Sequence, residues 1–382
     1  MRVLGIETTF DETSASVVED GWLLLSNVVK SSIDLHAQYG GVVPEIAARS
    51  HIEFIMPVIE QALKIANCNW DDIDAIAVAH GAGLSGSLLV GVMAARTLAI
   101  AKKKPLYDIN HVEGHLYANF ITKTTLQDYS LPETQPEFPI LGLIVSGAHS
   151  QLVLFEDHFL YTLLGQTQDD AVGEAFDKVG KLLGLPYPGA INVRRIGKEG
   201  NEQSFDFPKA RMTGMSPALL ELRQRNFEER HMTDVERLKW SRLSYDFSFS
   251  GIKTAVLRTA QHEIGEDFTF PSIGIAERLT DGQKADICAS FMKAAFGTIV
   301  DKTILAYREF APKTVIIGGG VSASFTLRGM LDSQLPEPIR ATDLKLCTDN
   351  GAMIATLGCF KRMHSQPEAD PYTLDIAPNL SM

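Results

Sequence analysis

The sequence predicts a duplicated α/β protein, two like lobes facing a cleft. Three observations carry this. A β-prone hairpin pattern, residues 3–7 and 14–18 around the polar turn 8–13, returns as 141–145 and 151–157 around the turn 146–150. Each copy continues with helical periodicity, a further strand and a loop of small residues that opens another helix. And 382 residues at 45% apolar content bury more than one core comfortably holds.

In the first copy, helical spacing runs over 46–65, a strand over 73–79, and the loop 81–87 (GAGLSGS) opens a helix to 101. A short strand at 104–109 then leads into a helix that begins with His111. In the second copy, helices over 173–183 and 281–310 precede a strand at 314–317 and the loop 318–324 (GGGVSAS). Glycines between a strand end and a helix start let backbone N–H groups approach a phosphate, so matching loops in both halves point to a nucleotide cleft. The expected division is a first lobe over 1–135, completed by a helix near 350–363, a second lobe over 136–349, and a Pro-rich tail over 364–382 that lies on the surface or moves. A polar insertion at about 203–245 should form one or two exposed helices, as a lid or a plain insertion.

The net charge of −12 argues against coating nucleic acid by charge alone, since phosphate contacts need clustered cations. The richest basic stretch, Arg211 to Arg242, holds Arg223, Arg225, Arg230, Arg237 and Lys239 interleaved with Glu221, Glu228, Glu229 and Glu236. It reads as a solvated helical face. Cys68, Cys288, Cys347 and Cys359 stand singly, which suits a reducing compartment and gives no disulfide framework. The N-terminus enters a strand at once and no eighteen apolar residues run together, so the expectation is a cytoplasmic protein with no membrane span.

His111 and His115, four apart at a strand-to-helix junction, share one helix face and could share an ion, though two imidazoles leave it short of ligands. A third ligand could come from Asp349, which precedes an apolar helical run. Locally, Asp349 reads at least as well as a plain N-cap. A zinc-peptidase reading fits poorly, because Glu113 falls about 200 degrees around the helix from His111 and aims away from any ion.

These residues, together with Gly5-Ile6-Glu7-Thr8, Asp11-Glu12-Thr13, Tyr39-Gly40-Gly41-Val42-Val43-Pro44-Glu45, Gly83-Leu84, Val145-Ser146-Gly147 with His149, Gly173-Glu174-Ala175-Phe176-Asp177-Lys178 and Phe247-Ser248-Phe249-Ser250-Gly251, closely resemble the tRNA adenosine threonylcarbamoyltransferases of bacterial TsaD type. The likeness spans nearly the whole chain. It implies a duplicated actin/Hsp70-like ATPase (RNase H-like) fold. The family transfers a threonylcarbamoyl group from threonylcarbamoyl-AMP to N6 of adenosine 37 in tRNAs reading codons that begin with A, and releases AMP. The resemblance further implies that His111, His115 and Asp349 hold one divalent metal, usually iron, with zinc or magnesium as alternatives. Val145, Ser146, Gly147, Ala148 and His149 would contact the acyl-adenylate and Asp177 its ribose. It also implies a paralogous, TsaB-like partner subunit and a small, TsaE-like ATPase.

An exocyclic amine is a weak nucleophile, so the transfer needs an activated carbonyl, charge stabilisation on its oxygen and a base. Asp11 is the expected base and Glu12 the runner-up. Backbone N–H groups of Ser146, Gly147 and Ala148 are expected to assist the oxygen. The chain departs from the family at several places: Thr9-Phe10 stands for Ser-Cys, Ala148 and Ala190 for glycines, Arg194 for an Asp that faces the ribose, and Ser324 for an Asn. An added methyl matters where glycine would take positive φ or lie against ligand. These departures motivate a second reading, a catalytically weak paralogue that scaffolds the modification complex. A metallopeptidase comes third.

Overall fold

The computed structural model describes residues 1–241 and 243–382. Arg242, the end of the basic stretch, and the side chains of Asp234, Glu236 and Lys239 lie outside the described residues. The chain forms two compact units, Met1–Pro136 with Ile316–Ala323 and Arg340–Met382, and Glu137–Val315 with Ser324–Ile339. Residues 316–323 and 340–349 group with the first unit, not with the second as the sequence pattern had it.

In the first unit β1 (Arg2–Glu7) pairs antiparallel with β2 (Glu12–Glu19), and β3 (Leu23–Ser31) extends the pair to a meander. The β2–β3 turn is Asp20-Gly21, both at positive φ (53° and 75°), which suits the twist of a tight hairpin. After α1 (Ile33–His36), Pro44 opens α2 (Pro44–Ile65) at a position where its missing N–H costs nothing. Then come β4 (Ala75–Gly81), α3 (Ser85–Lys102), β5 (Leu106–Asn110), α4 (His111–Tyr117) and β6 (Lys123–Thr124). β4 runs parallel to β1, and β5 parallel to β4. The sheet order is β5-β4-β1-β2-β3-β6.

One face of this sheet buries Leu4, Ile6, Val17 and Val78 with Ile55 and Ile59 of α2 and Val92 and Ala95 of α3. A Cβ at Gly91 would stand 2.3 Å from Thr8 Oγ1, so glycine lets α3 close on β1. Among the described residues, α3 alone is long and apolar enough by composition to cross a membrane; here its Leu88, Val92, Ala95 and Leu98 face the core.

The second unit repeats the meander with β7 (Ile140–Val145), β8 (Ser150–Asp157) and β9 (Leu160–Gln166). It continues through α5 (Val172–Leu182), α6 (Gly189–Gly197), α7 (Pro217–Glu229), α8 (Asp234–Trp240), α9 (Ser250–Glu263), α10 (Ile275–Arg278), α11 (Asp281–Phe310) and α12 (Phe325–Asp332), while β10 (Thr314–Gly318) groups with the first unit from Ile316 onward. The short β11 (Arg340–Ala341), which groups with the first unit, runs parallel to β10, and the second sheet has the order β11-β10-β7-β8-β9. In both sheets a three-stranded meander carries two further strands on the side of its first strand. This repeated order is the duplicated actin/Hsp70-like ATPase topology.

The insertion forms two helices, α7 and α8, but its basic residues are not a uniformly solvated face. Arg223 is buried, donates from Nε and Nη2 to both carboxylate oxygens of Glu309 in α11 (2.7 and 2.9 Å), and shares that carboxylate with the buried Tyr245 hydroxyl. Arg225 pairs with Glu156.

The last helix, α13 (Gly351–Met363), returns to the first unit and covers the second face of its sheet. A Cβ at Gly5 would lie 2.2 Å from the Gly351 carbonyl oxygen, so the helix backbone rests directly on β1. The tail beyond it is tied down: Ala369 N–H donates to Leu106 O, Ala377 N–H to His80 O, and Arg96 holds the carbonyls of Pro371, Tyr372 and Leu374.

Candidate metal centre

Asn110 ends β5 and caps α4, its Oδ1 accepting from Val112 N (2.9 Å) and Glu113 N (3.4 Å). This starts the helix so that His111 and His115 are stacked one turn apart, ring centroids 4.7 Å from each other and both rings buried. Gly114 leaves room for α13, whose Ile354 Cδ1 would lie 3.3 Å from a Cβ there. At the start of α13 the cap is Asn350, which accepts from Met353 N (3.0 Å) while its Nδ2 donates to Leu346 O and Thr348 O. The capping role read for Asp349 therefore belongs to its neighbour. The Asp349 carboxylate instead turns to the imidazoles, Oδ1 standing 3.4 Å from His115 Nε2 and 3.7 Å from His111 Nε2.

One ligand atom from each of His111, His115 and Asp349 lies within 4.8 Å of the others. Among the described residues, neither buried ring nitrogen of His115 has a hydrogen-bond partner, a costly state for an imidazole that a metal–ligand bond relieves. Two imidazoles and one carboxylate suit a first-row divalent cation. Burial opposes charge on His111, yet Asp349 and Glu7 outweigh it and lift its pKa to about 9. Surroundings that favour a proton so strongly also favour a cation. The residues fit a metal.

The sequence reading missed Glu7. It is fully buried at the end of β1; its Oε2 lies 3.0 Å from His111 Nδ1 and its Oε1 accepts the Thr9 N–H at 2.6 Å. Thr9 Oγ1 lies 3.1 Å from the same ring nitrogen and 3.5 Å from Asp349 Oδ2. The hydroxyl of the usual serine is thus kept, and Phe10, in place of cysteine, sets its ring edge-on to His111 at 5.6 Å. A carboxylate closing an apolar strand was the available signal. Glu113 stays out of the cluster: burial lifts its pKa to about 7, and the charge acting on it is Lys361.

The turn carrying Asp11 and Glu12 is held firmly. Ser32 N–H and Oγ–H both donate to Asp11 O at 3.0 Å, and Phe10 O accepts from Ser87 Oγ and lies 3.0 Å from His51 Nε2. Burial, then the charge of Asp349, raises the pKa of both carboxyls. Asp11 and Glu12 thus sit in the electrostatic field of the cluster.

In the second unit, Val145 ends β7 and the turn after it is internally bonded. Ser146 Oγ accepts from Ala148 N (3.3 Å) and His149 N (3.0 Å), and Ser146 N donates to His149 O. The N–H groups of Ser146 and Ala148 are thereby engaged, which corrects the expectation that they point at a substrate oxygen. Asp177 Oδ1 accepts from Ala190 N at 2.8 Å, and Arg194 Nε donates to Ala190 O at 3.1 Å, so these three are neighbours. Burial raises the pKa of Asp177. Neither Ala148 nor Ala190 has positive φ, so neither backbone demands glycine. Ser324 caps α12, accepting from Leu327 N at 3.4 Å. In the first glycine loop two N–H groups are taken by the chain's own carbonyls, Gly83 N donating to Pro378 O and Leu84 N to Thr9 O, so those two are not offered to a phosphate.

Fold and cluster together define an ATPase-fold protein with a two-histidine, one-carboxylate metal-type site in its first unit. A family model described as TsaD: tRNA N6-adenosine threonylcarbamoyltransferase matches residues 23–356, and the chain belongs to that family of acyltransferases. Among its relatives of that name, one from Thermomicrobium roseum is 43% identical over 93% of this chain and 90% of its own length. One from Dehalococcoides mccartyi is 41% identical over 100% and 99%. A solved structure, the activator of the 2-hydroxyisocaproyl-CoA dehydratase from Clostridium difficile with bound ADPNP, is similar at a TM-score of 0.47 and 13% identity, covering 99% of this chain and 100% of its own.

Proposed function

We propose that this protein transfers the threonylcarbamoyl group of threonylcarbamoyl-AMP to N6 of adenosine 37 in tRNAs reading codons that begin with A, in the cytoplasm. The observation that carries the reading is the gathering of His111, His115 and Asp349, ligand atoms within 4.8 Å, in a chain of this family. A divalent ion held there, iron by family usage, would supply Lewis-acid polarisation of the carbamoyl carbonyl. Asp11 accepts the proton of the attacking amine. Its raised pKa makes it a stronger base than an exposed aspartate, and the Ser32 clamp keeps it in place. The new C–N bond forms at the carbamoyl carbon as the bond to the AMP oxygen breaks. In the second unit the Val145–His149 turn and Asp177, with its neighbours Ala190 and Arg194, and Ser324 at the start of α12, are the proposed adenylate contacts. The non-positive φ at Ala148 and Ala190 weakens the backbone case for an inactive scaffold.

Ile52 and Met56 of α2 and Leu89 and Met93 of α3 are exposed at i,i+4 spacing on two packed helices, an apolar face suited to the paralogous partner. The test of function is reconstitution: threonine, bicarbonate, ATP, the adenylate-forming synthase, partner proteins and tRNA should yield modified adenosine. Unmodified tRNA from a complete, partner-matched mixture would overturn the proposal.

A further inference from the structure

We infer that Glu7, assisted by Thr9, is the positioning residue that sets which nitrogen of His111 meets a metal. The inference rests on the metal reading above. A histidine ligand binds through one ring nitrogen, and the partner of the other nitrogen decides which one is free. His111 Nδ1 lies 3.0 Å from Glu7 Oε2, whereas His111 Nε2 is the nitrogen turned toward Asp349 Oδ1. Nδ1–H therefore donates to Glu7, and the Nε2 lone pair faces the ligand set.

Glu7 is itself held. It is fully buried, and its second oxygen accepts the Thr9 N–H at 2.6 Å, so the carboxylate cannot rotate away from the ring. Thr9 then extends the arrangement across the cluster: its hydroxyl oxygen lies 3.1 Å from His111 Nδ1 and its proton points to Asp349 Oδ2 at 3.5 Å. The end of β1 and the turn that follows it thus orient two of the three ligands while contributing none. His115 has no such support, since neither of its ring nitrogens has a hydrogen-bond partner among the described residues. The negative charge of Glu7 also raises the electron density that His111 offers to a cation.

The test measures divalent-metal affinity with cobalt and zinc on the full chain, with histidine nitrogen NMR shifts reporting the His111 tautomer. Glu7→Gln keeps the shape and loses the charge; it should weaken cobalt binding about tenfold. Glu7→Ala should weaken it by up to about 100-fold and release the tautomer. Thr9→Val should weaken binding, and Thr9→Ser should restore it. Thermal melting of the metal-free variants guards against misfolding, and Glu7→Gln, being isosteric, keeps the test informative if Glu7→Ala fails to fold. If unaltered protein binds cobalt and His115→Ala abolishes it, while both Glu7 variants bind with unchanged affinity and tautomer, the role of Glu7 is overturned and the metal reading stands. If unaltered protein binds neither cobalt nor zinc, both fall.

Discussion

Replacing Glu309 with alanine removes the counter-charge of Arg223, and the cost can be worked from the structure. The guanidinium is 2% exposed and loses a bidentate partner at 2.7 and 2.9 Å, while the Tyr245 hydroxyl loses its acceptor. Stranding a buried charge costs about 3–5 kcal/mol, and with about 1–3 kcal/mol for the orphaned hydroxyl the loss reaches about 4–8 kcal/mol. That is a large share of a domain's usual margin of about 5–15 kcal/mol. Arg223→Met with Glu309→Leu deletes both charges together and should restore most of the stability, because apolar packing commonly replaces such pairs without loss. Urea titration of the second unit, followed through the fluorescence of the buried Trp240 in α8, measures both. A loss under about 1 kcal/mol for Glu309→Ala, or a double variant as unstable as the single, would refute the reasoning.

Asp11→Asn should lower kcat by about 10²–10⁴ with little change in KM for the acyl-adenylate, and Glu12→Gln should cost less; the reverse ranking in single-turnover assays would move the base to Glu12. His51 is buried, and burial depresses its pKa against the opposing pull of Phe10 O and Glu7, with His36 acting in the same direction as burial. Its folded pKa lies below the unfolded value of about 6.5, so its contribution to stability is complete above that pH and is lost as pH falls through it toward the folded pKa. His51→Gln should flatten the stability curve there, as read by urea midpoints across pH. Cys288 and Cys359 are buried, with thiols pushed up to about 12, and Cys347 is buried too, so a thiol reagent should label Cys68 first in native protein and all four after unfolding.

Elements whose amphipathic signal is local were legible in the letters: the long helix over 281–310 and both hairpins fall where periodicity put them. The third strand of each meander was not. β3 follows Asp20-Gly21, a readable hairpin signal, but β9 follows His158-Phe159, where Phe159 takes φ 62° with no glycine to announce it. At the site, helical spacing pairs His111 with His115, whereas Asp349 and Glu7 reach them only through folding. No local pattern says that Asn350 takes the cap and frees Asp349, nor that a carboxylate at a strand end meets a ring 104 residues away. The same holds for the first glycine loop, where the carbonyl that takes the Gly83 N–H belongs to Pro378, far along the chain.

The late return of α13 to β1 has a consequence for synthesis. A ribosome releases the first sheet long before the helix that covers its second face, so nascent chain carries an open apolar surface across the time needed to translate the whole second unit. Chaperone engagement should concentrate on that window. The last ligand, Asp349, also emerges only then, so a metal can be loaded at this site only after the second unit has been made.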